Sequence, residues 1–354
     1  MDKRYFSEKV VEWYLQHQRN LPWRGSNNAY YIWLSEIILQ QTRVNQGLPY
    51  YLRFVETFPT VNDLAAAPEQ KVLRLWQGLG YYTRARNLHK CAKEIVKNYG
   101  GKFPDSFEKL KTLPGIGDYT AAAIASMAFQ ESVAVVDGNV FRVLSRIFGI
   151  EKPINSPDGK KYFTELANEL MGKDRPDLHN QAVMEFGALY CTPKSPACET
   201  CIFASSCFAY KNELQHVLPV KIKSKAARKR YFYYFAFQKG NSILMKKRAQ
   251  KDIWHGLYDF YLVEKEKPGK LESLFLDDDL LKKLKIKSDN ISKTSTVYKH
   301  VLSHQIIQAK FILLSVDKPI QVKESGLKYF TKKQIAELPK PVLISSFLED
   351  EQLL

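Results

Sequence analysis

The sequence predicts a multi-domain fold, all-α up to about residue 210 and α+β from about residue 230. Three observations carry that prediction. Apolar residues recur at three- and four-residue spacing through the first part, with Pro and Gly between the segments. A basic stretch after Pro219 interrupts the pattern, and from Tyr231 onward β-branched and aromatic residues gather in short runs. At 354 residues the chain is also longer than one compact core usually organises, so at least two cores are expected.

Taken in order, Met1 to Arg19 combines charges with an amphipathic set, Phe6, Val10, Trp13 and Tyr14, and has no uninterrupted apolar signal region; export is not expected. Helices are expected over Tyr30 to Gln46, Val61 to Trp76, Thr83 to Asn98, Thr120 to Phe129 and Gly138 to Phe148. Lys221, Lys223, Lys225, Arg228, Lys229 and Arg230 read as a solvated linker able to lie along phosphates. Strands are expected over Tyr231 to Gln238, Ser242 to Lys247, Leu257 to Val263 and Ile306 to Leu314, with helical stretches near Leu271 to Leu284 and Thr331 to Leu338. The expected boundaries are 1–210 for the helical region, 211–229 for the linker and 230–354 for the α+β domain.

Lys and Arg outnumber Asp and Glu by 53 to 37, a net charge of +16. Each phosphate contact releases counterions, so this balance favours a polyanion, nucleic acid ahead of an anionic membrane, although a merely basic surface has the same composition. Apolar residues make up 45% of the chain, enough for packed cores, yet no tract is long enough to span a bilayer; a soluble, cytoplasmic protein is expected. Four of the five cysteines fall within seventeen residues, which fits a metal or cluster site in a reducing compartment better than a disulfide framework.

Four constellations carry chemistry. Cys191, Cys198, Cys201 and Cys207 can wrap four thiolates around one centre, and by spacing both a zinc site and a 4Fe–4S cluster fit. Leu113 to Thr120 is a glycine hairpin running into an apolar helix. Gly115 and Gly117 would let backbone amides approach a phosphate, or simply make a tight turn between packed helices. Asp137 stands ahead of a helix, where a carboxylate caps by preference. Glu36 lies among apolar neighbours, Ile32 to Leu39, where desolvation would raise its pKa into the range of a general acid, unless it sits on a solvated helix face.

The segments Leu21-Pro22-Trp23-Arg24, Trp33-Leu34-Ser35-Glu36 and Gln40-Gln41-Thr42 resemble the MutY-type adenine DNA glycosylases of the endonuclease III, helix-hairpin-helix superfamily. So do Gly78 to Tyr82, Arg84 to Leu88, Asn180 to Gly187 and the cysteine loop. The resemblance covers most of residues 20–210. It implies a six-helix domain over about 20–130, a cluster domain from 1–19 and 131–210, and a 4Fe–4S cofactor. It further implies that Glu36 protonates adenine, that Asp137, with Asn139 in the same turn, stabilises the cationic sugar, and that Tyr119 supports the chemistry where strand-cutting relatives carry a lysine. Trp23, Arg24, Leu39 and Gln181 would border the adenine, Gln41 and Tyr81 would wedge the base stack, and Thr42 and Leu79 would help hold the opposite base.

Beyond the linker, Gly256-Leu257-Tyr258 and Leu302-Ser303-His304 resemble the family's Nudix-like domain, whose serine and histidine read oxidised guanine; Leu302 stands where phenylalanine is common. No Glu-rich magnesium-binding helix accompanies them, so the domain is expected to recognise and not to hydrolyse. The activity implied is monofunctional removal of adenine opposite 8-oxoguanine or guanine in double-stranded DNA, by a monomer. An endonuclease III-like glycosylase/lyase, a Nudix-type hydrolase of oxidised nucleotides and a non-catalytic lesion-binding protein are the other readings of these features.

Overall fold

The computed structural model describes residues 2–172, 174–223, 226–250, 252–284, 290–320 and 326–354; Lys225 of the basic stretch lies outside them. The chain forms two compact units, Met1–Ala66 with Asn87–Lys223, and Ala67–Arg86 with Ser224–Leu354. The segment Ala67–Arg86 therefore packs with the C-terminal part, tied there by Gln77 to Ser345 at 3.1 Å and by the Tyr82 hydroxyl to the Lys340 carbonyl at 3.2 Å.

The first unit is helical. Asp2 caps α1 (Lys3–His17) by accepting from the Tyr5 amide, and Phe6, Val10, Trp13 and Tyr14 form its buried stripe. Asn28 caps α2 (Ala29–Leu39), which is apolar on nearly every side and buries Glu36 with its neighbours. The stretch Tyr30 to Gln46 is two helices and not one. Gln41 takes φ +56°, the left-handed region that ends a helix, and α3 (Val44–Thr57) starts afresh. Val61 to Trp76 also divides, into α4 (Val61–Ala66) and α5 (Glu69–Leu75), because Pro68 disfavours helical backbone at Ala67 and caps the second helix. Then follow α6 (Thr83–Tyr99), α7 (Phe107–Lys111), α8 (Asp118–Phe129), α9 (Gly138–Phe148), α10 (Pro157–Leu170), α11 (Pro176–Leu189) and the short α12 (Phe208–Lys211). Phe163, Phe186 and Phe203 close a core under α1, α9, α10 and α11 that extends to the cysteine loop.

In the second unit β1 (Arg228–Lys239) is the spine of a mixed sheet, eight-stranded among the described residues. It runs parallel to β7 (Gln305–Ser315) over eleven residue pairs. Its other edge is shared between β2 (Ser242–Lys247) and β4 (Tyr261–Lys265). The expected strand Leu257 to Val263 breaks for that reason: β3 (Tyr258–Asp259) pairs with β2, then the chain changes partner at the buried Phe260 and β4 pairs with β1. Further strands are β5 (Ile291–Thr294), β6 (Tyr298–Val301) and β8 (Lys328–Thr331). The helices are α13 (Leu271–Asp277), α14 (Asp279–Lys283), α15 (Lys332–Glu337) and α16 (Val342–Asp350). Phe347 of α16 stacks on Phe311 with ring centroids 4.2 Å apart. Arg230, grouped by sequence with the solvated linker, is instead a buried member of β1 that binds Asp252, Glu264 and Gln305. Among the described residues no helix is long and apolar enough to cross a membrane.

Candidate active site

A pocket of about 580 Å³ opens in the first unit. Its wall gathers Trp23, Arg24, Glu36, Leu39, Thr42, Tyr119, Asp137, Asn139 and Gln181, nine residues that lie in five separate stretches of the sequence. The volume suits a base and its sugar.

Two carboxyl groups define its chemistry. Glu36 projects from the middle of α2 and is only 8% exposed. Burial pushes its pKa up to about 7, reinforced by the nearby Asp137 charge and opposed by a hydrogen bond from the Tyr119 hydroxyl and by Arg24. Near neutral pH it is therefore divided between acid and carboxylate. The second carboxyl, Asp137, is the N-cap of α9, and here the capping and pocket-lining descriptions both hold. Its Oδ1 accepts from the amides of Asn139 and Val140, each at 2.8 Å, and its Oδ2 accepts from the Asn139 side-chain amide at 2.7 Å. Burial raises its pKa, while these three donors pull it back toward the ionised form.

The same pocket wall carries an ion-pair group centred on Glu185, a residue that the sequence motifs include without a role. Glu185, 1% exposed, receives paired hydrogen bonds from Arg24 at 2.8 and 2.7 Å and from Arg19 at 2.9 and 2.5 Å. Burial would raise its pKa, but these hydrogen bonds hold it at about 2. The pairing joins positions more than 160 residues apart, so no local pattern announces it. The helical spacing of Gln181, Glu185 and Ala188 on one face of α11 was the available signal.

The hairpin between α7 and α8 presents Gly115 at φ +78°, where any side chain would be strained and a Cβ would meet Asn87 at 2.6 Å. Gly117 begins α8 without any side-chain cap, so the first amides of the helix are left to solvent or a ligand. Gln41 is not among the pocket residues; it stands exposed at the turn after α2.

In the second unit Tyr81 also takes a left-handed backbone, φ +46°, and is 46% exposed. Its hydroxyl is hydrogen-bonded to Ser303. Ser303 and His304 form the two-residue tip of the β6–β7 hairpin, closed by the Leu302 amide on the Gln305 carbonyl at 2.8 Å. Leu79, 6% exposed, lies in the same unit. The structure thus joins Tyr81 to Ser303, an association across 222 residues of sequence that the motifs do not imply.

The four clustered cysteines line one apolar pocket with Ile147, Phe186 and Tyr190. Among the described residues no three His, Cys, Asp or Glu side chains converge as a single-ion site. Four cysteine thiols around one apolar pocket are the donor set that a 4Fe–4S cluster takes. Arg146 reaches Cys191 Sγ at 3.5 Å and the Thr192 carbonyl at 2.7 Å. Arg142 donates to the Cys191 and Gly187 carbonyls and to Asn139 Oδ1, so the loop and the Asp137 turn share one guanidinium.

Comparison with known proteins agrees with this geometry. The family model for HhH-GPD superfamily base excision DNA repair proteins matches residues 34–171, a NUDIX domain model matches 233–350, and the iron-sulfur binding domain of endonuclease III matches 191–207. An adenine DNA glycosylase of Buchnera aphidicola subsp. Schizaphis graminum is 34% identical over 342 residues, 95% of this chain and 96% of that protein. The chain belongs to the adenine DNA glycosylase family. A family member from Rattus norvegicus is 43% identical over 215 residues, covering 58% of this chain and 42% of its own length. The structure of a thermostable thymine-DNA glycosylase superposes with a TM-score of 0.55 at 29% identity, over 59% of this chain and 97% of that one. A trapped endonuclease III–DNA covalent intermediate, at 22% identity and a TM-score of 0.53, shares the fold.

The glycosylase unit is accordingly a helix-hairpin-helix domain with an iron–sulphur loop, and the C-terminal domain is Nudix-like. Cys191, Cys198, Cys201 and Cys207 would hold the 4Fe–4S cluster, which when bound would cross-link the loop. Cys198→Ser should lower the iron content of purified protein and its melting temperature, and weaken DNA binding by about tenfold or more, the scale of losing a structural metal contact. Full iron occupancy and unchanged DNA affinity in this variant would remove Cys198 from the cluster.

Proposed function

We propose that this chain is a monofunctional adenine DNA glycosylase that hydrolyses the N-glycosidic bond of adenine mispaired with 8-oxoguanine or guanine in double-stranded DNA. The observation that carries the proposal is Glu36, a buried carboxyl poised near neutrality in the same base-sized pocket as Asp137. The target nucleotide must leave the duplex to enter such a pocket, and Gln41 and Tyr81, held in left-handed conformations at exposed turns, are suited to fill the gap.

In the pocket Glu36 protonates the adenine at N7. The bond from N9 to the sugar carbon C1′ then breaks, its electron pair leaving with the base, and the ionised Asp137 stabilises the positive charge on the sugar. Water adds to C1′, and its proton passes to the carboxylate of Glu36 or to solvent. Tyr119 holds the Glu36 carboxylate by its hydroxyl. The uncapped start of α8 with the Gly115 and Gly117 amides would bind a phosphate beside the lesion. The test is single-turnover incubation with duplex carrying adenine opposite 8-oxoguanine. Free adenine and an uncut abasic strand are expected, and release of another base or none would sink the proposal.

Tyr119 has no amine to form a Schiff base with the opened sugar, so strand cleavage should require alkali or heat. Tyr119→Lys should gain borohydride-trappable adduct that the native chain does not form. Strong trapping in the native chain that this substitution leaves unchanged would place the nucleophile elsewhere.

The Nudix-like domain reads the opposite base, with Thr42 and Leu79 helping to hold it. An enzyme that removes a normal adenine must find the damage on the other strand, where oxidation adds a donor at N7 and an oxygen at C8. Ser303 and His304, at an exposed hairpin tip, supply a hydroxyl and an imidazole for those atoms. Replacing both by Ala should narrow the rate ratio between adenine opposite 8-oxoguanine and adenine opposite guanine by about tenfold, the worth of one discriminating hydrogen bond. Measured at fixed salt, an unchanged ratio would take this role from the hairpin.

A further inference from the structure

Tyr14 lies outside the pocket, yet touches two of the residues that line it. It is 2% exposed in the α1 stripe. Its hydroxyl donates to Gln181 Oε1 at 2.8 Å, and its ring carries the Arg24 guanidinium 5.5 Å from the centroid. Burial raises the pKa of the phenol, so the hydroxyl keeps its proton across the neutral and mildly alkaline range. Arg24 in turn is fixed by Glu185. Gln181 thus projects from α11 with the oxygen of its amide engaged by a buried donor.

An amide has two faces that differ only in which end donates, and a free glutamine can turn either toward a ligand. With Oε1 turned to Tyr14, the remaining branch is the NH₂ group, a donor. We infer that Tyr14 is a positioning residue for base selection: its hydroxyl fixes Gln181 as a hydrogen-bond donor to a ring nitrogen of the extruded purine. The inference rests on the adenine-glycosylase reading and extends it to the way that base is chosen. Adenine offers bare acceptor nitrogens at N1 and N3 as well as N7. Without the hydroxyl, the amide turns freely, and the donor is present for only part of the time.

The experiment uses the full-length, cluster-loaded chain and its Tyr14→Phe variant, which keeps the ring against Arg24. Single-turnover rates are measured on duplexes carrying adenine, 1-deazaadenine or 3-deazaadenine opposite 8-oxoguanine; both analogues retain N7 and hence the protonation assigned to Glu36. The native chain should be slowed about tenfold by the analogue lacking the nitrogen that Gln181 addresses, the cost of one lost hydrogen bond with a buried partner. Tyr14→Phe should release adenine several-fold more slowly, yet lose no more than about two- to threefold on that analogue, since the two changes remove one interaction. A Tyr14 that merely stabilised the fold would slow all three substrates by one factor; that outcome, or native rates indifferent to both analogues, overturns the inference. Failure of the native chain to release adenine at all would instead overturn the glycosylase reading. The melting temperature of the variant, expected within a few degrees of native for one lost hydrogen bond, separates either result from misfolding.

Discussion

Glu36→Gln should lower the single-turnover rate of adenine release by about 10² to 10⁴-fold, the usual worth of a general acid, while leaving affinity for the mispaired duplex within a few-fold of native. The substitution keeps the shape of the side chain and its acceptor for Tyr119, and removes only the transferable proton. The rate in the native chain should also fall as pH rises through about 7, because a carboxyl with a raised pKa is protonated below that value and not above it. Glu36→Gln should lose this alkaline limb. A variant with native release, or a native profile flat from about one pH unit below the Glu36 midpoint to about two above it, would show that the proton comes from elsewhere.

Asp137→Asn tests the other carboxyl, and here rate and stability should separate. Asparagine is as good a helix cap as aspartate, so the amides of Asn139 and Val140 keep an acceptor and the fold should lose no more than about 1 kcal/mol. The negative charge facing the sugar is gone, and the new NH₂ group confronts the Asn139 amide where Oδ2 had accepted. Release should fall about 10² to 10³-fold, the scale on which one pre-placed electrostatic group acts. Comparable losses in melting temperature and in rate would reduce Asp137 to its capping role.

Much of this site was legible because its residues travel in short, ordered motifs. Trp23-Arg24, Glu36, Tyr119, Asp137-Asn139 and Gln181 each sit in a segment whose wording points to its neighbours, and they meet in one pocket. What the motifs do not express is the support between them. The grip of Arg19 and Arg24 on Glu185, and of Arg142 on both Asn139 and the Cys191 carbonyl, joins distant segments through polar contacts that leave no periodic trace. In the C-terminal domain the strand-rich texture was plain, but its partners were not. A run of apolar residues from Leu257 to Val263 looks like one strand whether it pairs with one neighbour or two. Nor does composition distinguish a solvated arginine from Arg230, whose burial depends on acidic partners at Asp252 and Glu264.

The Arg19–Glu185–Arg24 pairing bears on what acid does to this molecule. A carboxylate with a depressed pKa contributes stability that is complete above its unfolded value and is surrendered only as pH falls through its folded value, here about 2. Asp137, whose pKa is displaced upward, takes its proton earlier on the way down. Between those two events the Arg19–Glu185–Arg24 part of the pocket wall is still clamped while the Asp137 charge has been neutralised. Acid inactivation in that interval should therefore reverse on return to neutral pH without unclamping Glu185, which recovery of activity after a brief acid pulse would check.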